Sequence, residues 1–119
     1  MATTITPMGL TDALRAVADA DADATAENIG ASKIYSIDLD NAANAAVTYL
    51  KFWNQGGPTV GTTVPHMIIH IAASVRRIWH FIGGNDSFSA GMSMAAVTAA
   101  GTAGSTGPTS DVVVDLFVE

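Results

Sequence analysis

From Ile29 to the C-terminus, apolar and polar positions alternate with a period of two, the mark of half-buried strands. In SKIYSIDLD (32–40) this sets Ile34, Ser36 and Asp38 on one face and Tyr35, Ile37 and Leu39 on the other. AVTYLKFWN (46–54) sets Val47, Tyr49, Lys51 and Trp53 against Thr48, Leu50 and Phe52. HMIIHIA (66–72) and VRRIWHFI (75–82) read as strands joined by a tight turn at Ala73 and Ser74, and FSAGMSMAAVT (88–98) and VVVDLFV (112–118) read as two more. About six strands, punctuated every ~8–12 residues by Gly- and Pro-containing loops, predict an all-β sandwich or barrel. Pro58, Pro65 and Pro108 all fall in the loops, where no ladder N–H is needed.

Residues 1–28 follow another period. Leu10, Leu14 and Val17 stand at i, i+4 and i+7, a narrow helical stripe with Thr11 or Asp12 placed to cap it. A helix this short is marginal alone in water. The segment therefore reads as an extended or partly helical N-terminal arm that orders against something else, followed by a β-sandwich domain over 29–119.

The loop AAGTAGSTGPTSD (99–111) raises the question of phosphate binding. A Walker loop needs a Lys after its last Gly and a helix behind it. This loop has no Lys, and a strand pattern follows Pro108. A dinucleotide fingerprint fails for the same want of a helix. The loop reads as a wide connection between strands, resembling QGGPTVGTTVP (55–65) in its uncharged Gly, Thr and Pro content.

Composition narrows the class. A chain of 119 residues makes one domain with a core of its own. Without cysteine it has no disulfide framework and no thiolate metal site. The net charge of −6 argues against nucleic acid, which needs a basic footprint. The acids concentrate early: residues 1–40 hold seven against Arg15 and Lys33. Only 13% of residues are charged, about half the usual share, so much of the surface is expected to meet other protein. No apolar run reaches the ~18 residues of a membrane-spanning helix, and MATTITPMGL has neither the basic nor the apolar region of a signal peptide.

Candidate chemistry is sparse. An EF-hand loop starting at Asp19 would use Asp19, Asp21 and Asp23, but Ala24 replaces the required Gly and Gly30 the required Glu. His66 and His70 on one strand lie ~13 Å apart, too far for one metal ion. No G-x-S-x-G elbow occurs, and paired carboxylates occur only in the arm. Asp111 and Asp115 are expected to point outward. Arg76 and Arg77 read first as solvated edge residues, the alternative being that one of them stacks on an aromatic or pairs with a neighbouring subunit's acid. No enzyme, cofactor or metal is expected.

The ordered set YLKFWN, PTVGTTVP, GMSMAAVT, GTAGSTGPTS and VVVDLFVE, from about Asn41 to the C-terminus, resembles a family of small virion proteins of tailed bacteriophages. The polar strands HMIIH and RRIWH depart from its more apolar pattern. The resemblance implies a β-sandwich module and brings no catalytic residues. The resulting expectation is a capsid decoration (cement) protein, a jelly-roll-like sandwich forming trimers on the outer surface of the phage head. Its expected partners are the major capsid protein and itself, with no nucleic acid and no membrane. Leu10, Leu14, Val17, Asp19, Asp21, Asp23, Arg76 and Arg77 are the expected contact residues. The alternative is a tail or fibre module that contacts the host surface or other tail proteins, favoured if Trp53 and Trp79 share an exposed concave patch.

Overall fold

The computed structural model describes residues 3–7, 15–31, 33–85 and 87–119. These contain nine strands and no helix: β1 (Thr3–Pro7), β2 (Arg15–Ala22), β3 (Glu27–Asn28), β4 (Ile34–Asp40), β5 (Thr48–Trp53), β6 (Met67–Ile71), β7 (Arg76–Asn85), β8 (Ser93–Val97) and β9 (Val112–Val118). They form two sheets, β1-β2-β9-β4-β7 and β3-β8-β5-β6, in which every pairing is antiparallel.

The sheets bury one core between them, as a β-sandwich does. Alternate residues of β9 (Val112, Val114, Leu116 and Val118) point inward and are buried, while Val113 and Asp115 between them are exposed. Leu50 and Phe52 of β5 and Met94 and Ala96 of β8 supply the facing layer, with Phe88 and Met92 beside them. The Phe52 and Phe88 rings lie 6.0 Å apart at 57°.

The expected arm is corrected for the described part of residues 1–28. Β2 lies inside the first sheet, between β1 and β9, with Val17 opposite Ile5 and Leu116. Β3 pairs with β8 in the second sheet. Sequence alternation over RAVADADA was hidden because its inward positions are Val17, Asp19 and, beyond a bulge, Ala22. Small and acidic residues carry almost no hydrophobic period. The sandwich thus begins well before Ile29, and the two-part division at that residue does not describe the sheets. Leu10 and Leu14 lie outside the described residues.

A bulge also alters the expected phase of β4. Ile34 pairs with Val118 and Ser36 with Phe117, so Tyr35 is the extra residue. Ile34 consequently faces the core with Ile37 and Leu39, where strict alternation puts it on the opposite face. The neighbouring strand β7 accommodates this with a longer excursion, since Ile34 pairs with Asn85 but Ser36 with His80. Gly84 in that excursion has φ +83°, and a Cβ there would lie 2.5 Å from Lys33 Cδ. Its backbone conformation and the close approach both call for glycine.

Candidate functional site

The expected contact residues fall in different environments. Val17 and Asp19 are buried inside the sandwich, which removes them from any contact surface. Asp23 shapes a turn, its Oδ1 accepting from Thr25 N at 2.7 Å. Its carbonyl accepts from Ala96 N, tying the β2–β3 connection to β8. Arg76 Nε and Nη2 donate to Asp38 Oδ1 and Oδ2 at 2.9 and 2.6 Å, a two-pronged pair on the outer face of the first sheet. The pair holds the Asp38 carboxyl below its ordinary range and the guanidinium above its own. Arg77 lies over the Trp79 ring, 6.0 Å from its centroid.

Asp19 is an unusual core residue. It is fully buried; Asp21 N donates to its Oδ1 at 3.3 Å, and its Oδ2 has no hydrogen-bond partner. Burial, then the nearby Asp21 and Glu27 carboxyls, push its pKa up to about 7. Among the described residues no group of three or more His, Cys, Asp or Glu side chains is placed to hold a metal ion. The histidines stand apart: His66 meets the edge of Phe88, and His70 lies beside Tyr49.

Sequence reasoning missed the buried lysine. Lys51 is fully buried on the outer face of the second sheet and donates from Nζ to the carbonyls of Gly101 and Gly104 at 2.6 and 2.8 Å. Burial lowers the pKa of its amine. On the same face Trp53 Nε1 donates to Thr63 O at 2.9 Å. The two uncharged loops thus cover this face and touch each other, since a Cβ on Gly61 would lie 3.0 Å from Ser105 Cβ. This gives the Gly/Thr/Ser loop a structural task, covering a lysine with carbonyls. The available signal was that Lys51 is flanked by Tyr49 and Trp53 on one face while Leu50 and Phe52 occupy the other. A strand apolar on both sides is buried on both sides.

A cleft of about 270 Å³ lies between the turn at Ala43–Ala46 and the segment around Pro108. Asn44 and Thr48 of its lining are already engaged. Asn44 Nδ2 donates to Asn41 Oδ1 and Ser110 O, Asn44 Oδ1 accepts from Ser110 N, and Thr48 donates to Asn41 Oδ1. These bonds tie the β4–β5 turn to the β8–β9 loop.

The surface best equipped for contact is the lateral edge formed by β6 and β7. Each is the last strand of its sheet, and the short connection Ala72–Val75 places them on the same side of the sandwich. Ile68 and Ile78 are 42% and 50% exposed, Ile82 is fully exposed, and Val64 stands out just before β6. His66, His70, His80, Arg76 and Arg77 are exposed on these strands or beside them. Edge strands that remain in water are normally shielded by charge, proline or brevity. Here the ten-residue β7 alternates isoleucine with polar residues along its outer face. No protein-family model matches the chain, and neither does any curated protein or solved structure.

Proposed function

We propose that the chain is a structural protein of a tailed-phage virion. It is a decoration protein that binds the major capsid protein on the outer surface of the head and cements the shell, as a homotrimer, without catalysis or a cofactor. The observation that carries this reading is the open β6–β7 edge, where exposed isoleucines accompany two strands with a free side. The low charged fraction supports a chain that covers much of its surface with protein. The resemblance to small phage virion proteins, from about Asn41 to the C-terminus, supplies the setting.

The strand order supports a jelly-roll reading. Β2-β9-β4-β7 and β3-β8-β5-β6 are two interleaved four-stranded sheets, with β1 added outside β2. Such double-sheet folds recur in viral shells and in lectins, so the order favours a shell or binding role without choosing between them. Among the expected contact residues, Asp21, Asp23, Arg76 and Arg77 keep accessible surface. The tail-module alternative loses its favouring feature, because Trp53 is buried and Trp79 is half-buried among core residues.

A cement protein stabilises the state it binds by mass action, about 3 kcal/mol per site at a hundredfold excess over Kd. Heads lacking the protein are therefore expected to release DNA at a lower temperature than complete heads, and adding the purified protein back should restore the difference. Heads that are equally heat-stable without it but fail to adsorb to cells would overturn the reading in favour of a tail module.

A further inference from the structure

Charge and exposed carbon are separated across the width of the sandwich. One lateral side consists of β6 and β7, with Ile68, Ile78, Ile82, Arg77 and the exposed imidazoles. The opposite side consists of β1 and β3, the other two terminal strands of the same sheets. There Thr3 Oγ1 donates to Glu27 Oε2 at 3.3 Å across the mouth between the sheets. Asp21 and Asp23, on and just after β2, add two further acids to that side. Arg76 belongs to the first side, but its charge is matched by Asp38.

The first sheet has an odd number of strands, all paired antiparallel. Its two terminal strands, β1 and β7, therefore run in the same direction. Copies related by rotation about an axis along the strands bring the β7 edge of one beside the β1 edge of the next.

We propose that the chain self-associates head to tail, the β6–β7 side of one copy seating against the β1–β3 side of the next and closing into a ring. The inference deepens the proposed function by naming the surface that joins the copies, and rests on that reading only for the ring's place on a shell. A two-fold contact between β7 edges sets each Arg77 side against its own like. A two-fold contact between β1 edges sets acids against acids. The head-to-tail contact joins unlike sides and buries the exposed isoleucines. A head-to-tail interface cannot close with two copies, so the smallest ring it forms is a trimer.

The test uses the isolated full chain, free of heads. Because the protein has no cysteine, single Thr4→Cys and Ile78→Cys variants report one site each. Both positions are exposed on the outer face of the first sheet, in one row across it, Thr4 opposite Ala18, then Asp115, Asp38 and Ile78. Mixed at ~1 mM, the weak end of specific association, and oxidised, the two variants are expected to give chiefly the mixed disulfide. Light scattering of the unmodified chain should show a species of three or more copies. Arg77→Glu, a side chain over an exposed edge, should weaken that species about tenfold or more with the β circular dichroism unchanged. Predominant Ile78–Ile78 cross-linking of the second variant to itself would overturn the proposal in favour of a two-fold dimer. A monomer at every concentration would overturn it too, even if β7 variants then failed to bind heads, because the edge would belong to the capsid protein. Either failure leaves the heat-release test of the proposed function standing on its own.

Discussion

Lys51 Nζ sits 2.8 Å from the carbonyl oxygen of Gly104, a residue 53 positions away in the chain. A central strand of the second sheet and the long loop before the last strand are fixed to each other through one buried amine. Glycine at 104 lets this loop fold tightly on itself, for a Cβ there would collide with Ala99.

Lys51→Ala is expected to destabilise the fold by about 3 kcal/mol, because it leaves a cavity and two carbonyls without their donor. Lys51→Met keeps the volume and loses the donor, and should cost less. Urea unfolding measures both. Hydrogen exchange should show faster opening across residues 99–107 in each variant.

Asp19 makes stability fall as pH rises. Its folded-state pKa of about 7 lies above the ordinary 3.8, so between those values the folded chain holds a proton that the unfolded chain has released. The contribution is complete below the unfolded value and is lost as pH climbs through about 7, with a slope of roughly 1.4 kcal/mol per pH unit. Asp38, whose pKa is lowered by Arg76, acts in the opposite sense: its contribution is present above 3.8 and lost as pH falls. The difference between the parent chain and Asp19→Asn isolates the first effect. Denaturation midpoints from pH 4 to 8 should converge toward the acid end, with Asp19→Asn the more stable at pH 8.

Residues 1–28 are expected to be needed for folding, because they supply three strands of the two sheets. Removing them deletes β1, β2 and β3 and leaves the edges of β9 and β8 unpaired. The truncated chain is expected to lose its cooperative thermal transition, measured by circular dichroism. A truncated chain that melts like the parent would contradict the sheet order.

Burial separates the core from the contact edge. Phe52→Ala, at a fully buried site, should cost about 3–5 kcal/mol. Ile78→Ser, half exposed on β7, should change stability by under about 0.5 kcal/mol while reducing self-association. Arg76→Ala should also be mild, within about 1 kcal/mol, because the pair with Asp38 is largely exposed and screened by salt.

The strands from Ile34 onward were legible because their inward positions are large and branched, as in Val112, Val114, Leu116 and Val118. Β2 was not, because its inward side chains include an aspartate and an alanine. The helical stripe of Leu10, Leu14 and Val17 depends on spacing that β2 breaks at Arg15. The phase of Ile34 was lost to a bulge, which leaves no mark in the hydrophobic pattern. Arg77 over Trp79 follows from alternation on one strand. The Arg76–Asp38 pair does not, since it depends on which strand lies beside β7. Burial of Lys51 was half visible in its apolar neighbours, but its acceptors come from a loop that local sequence cannot place.

The most direct test of the shell reading is the copy number in purified virions, by quantitative mass spectrometry against the major capsid protein. A decoration protein occupies sites repeated over a closed shell, so copies on the order of hundreds per particle are predicted. A count of a few to a few dozen would place the chain at a tail or a single vertex and contradict the account.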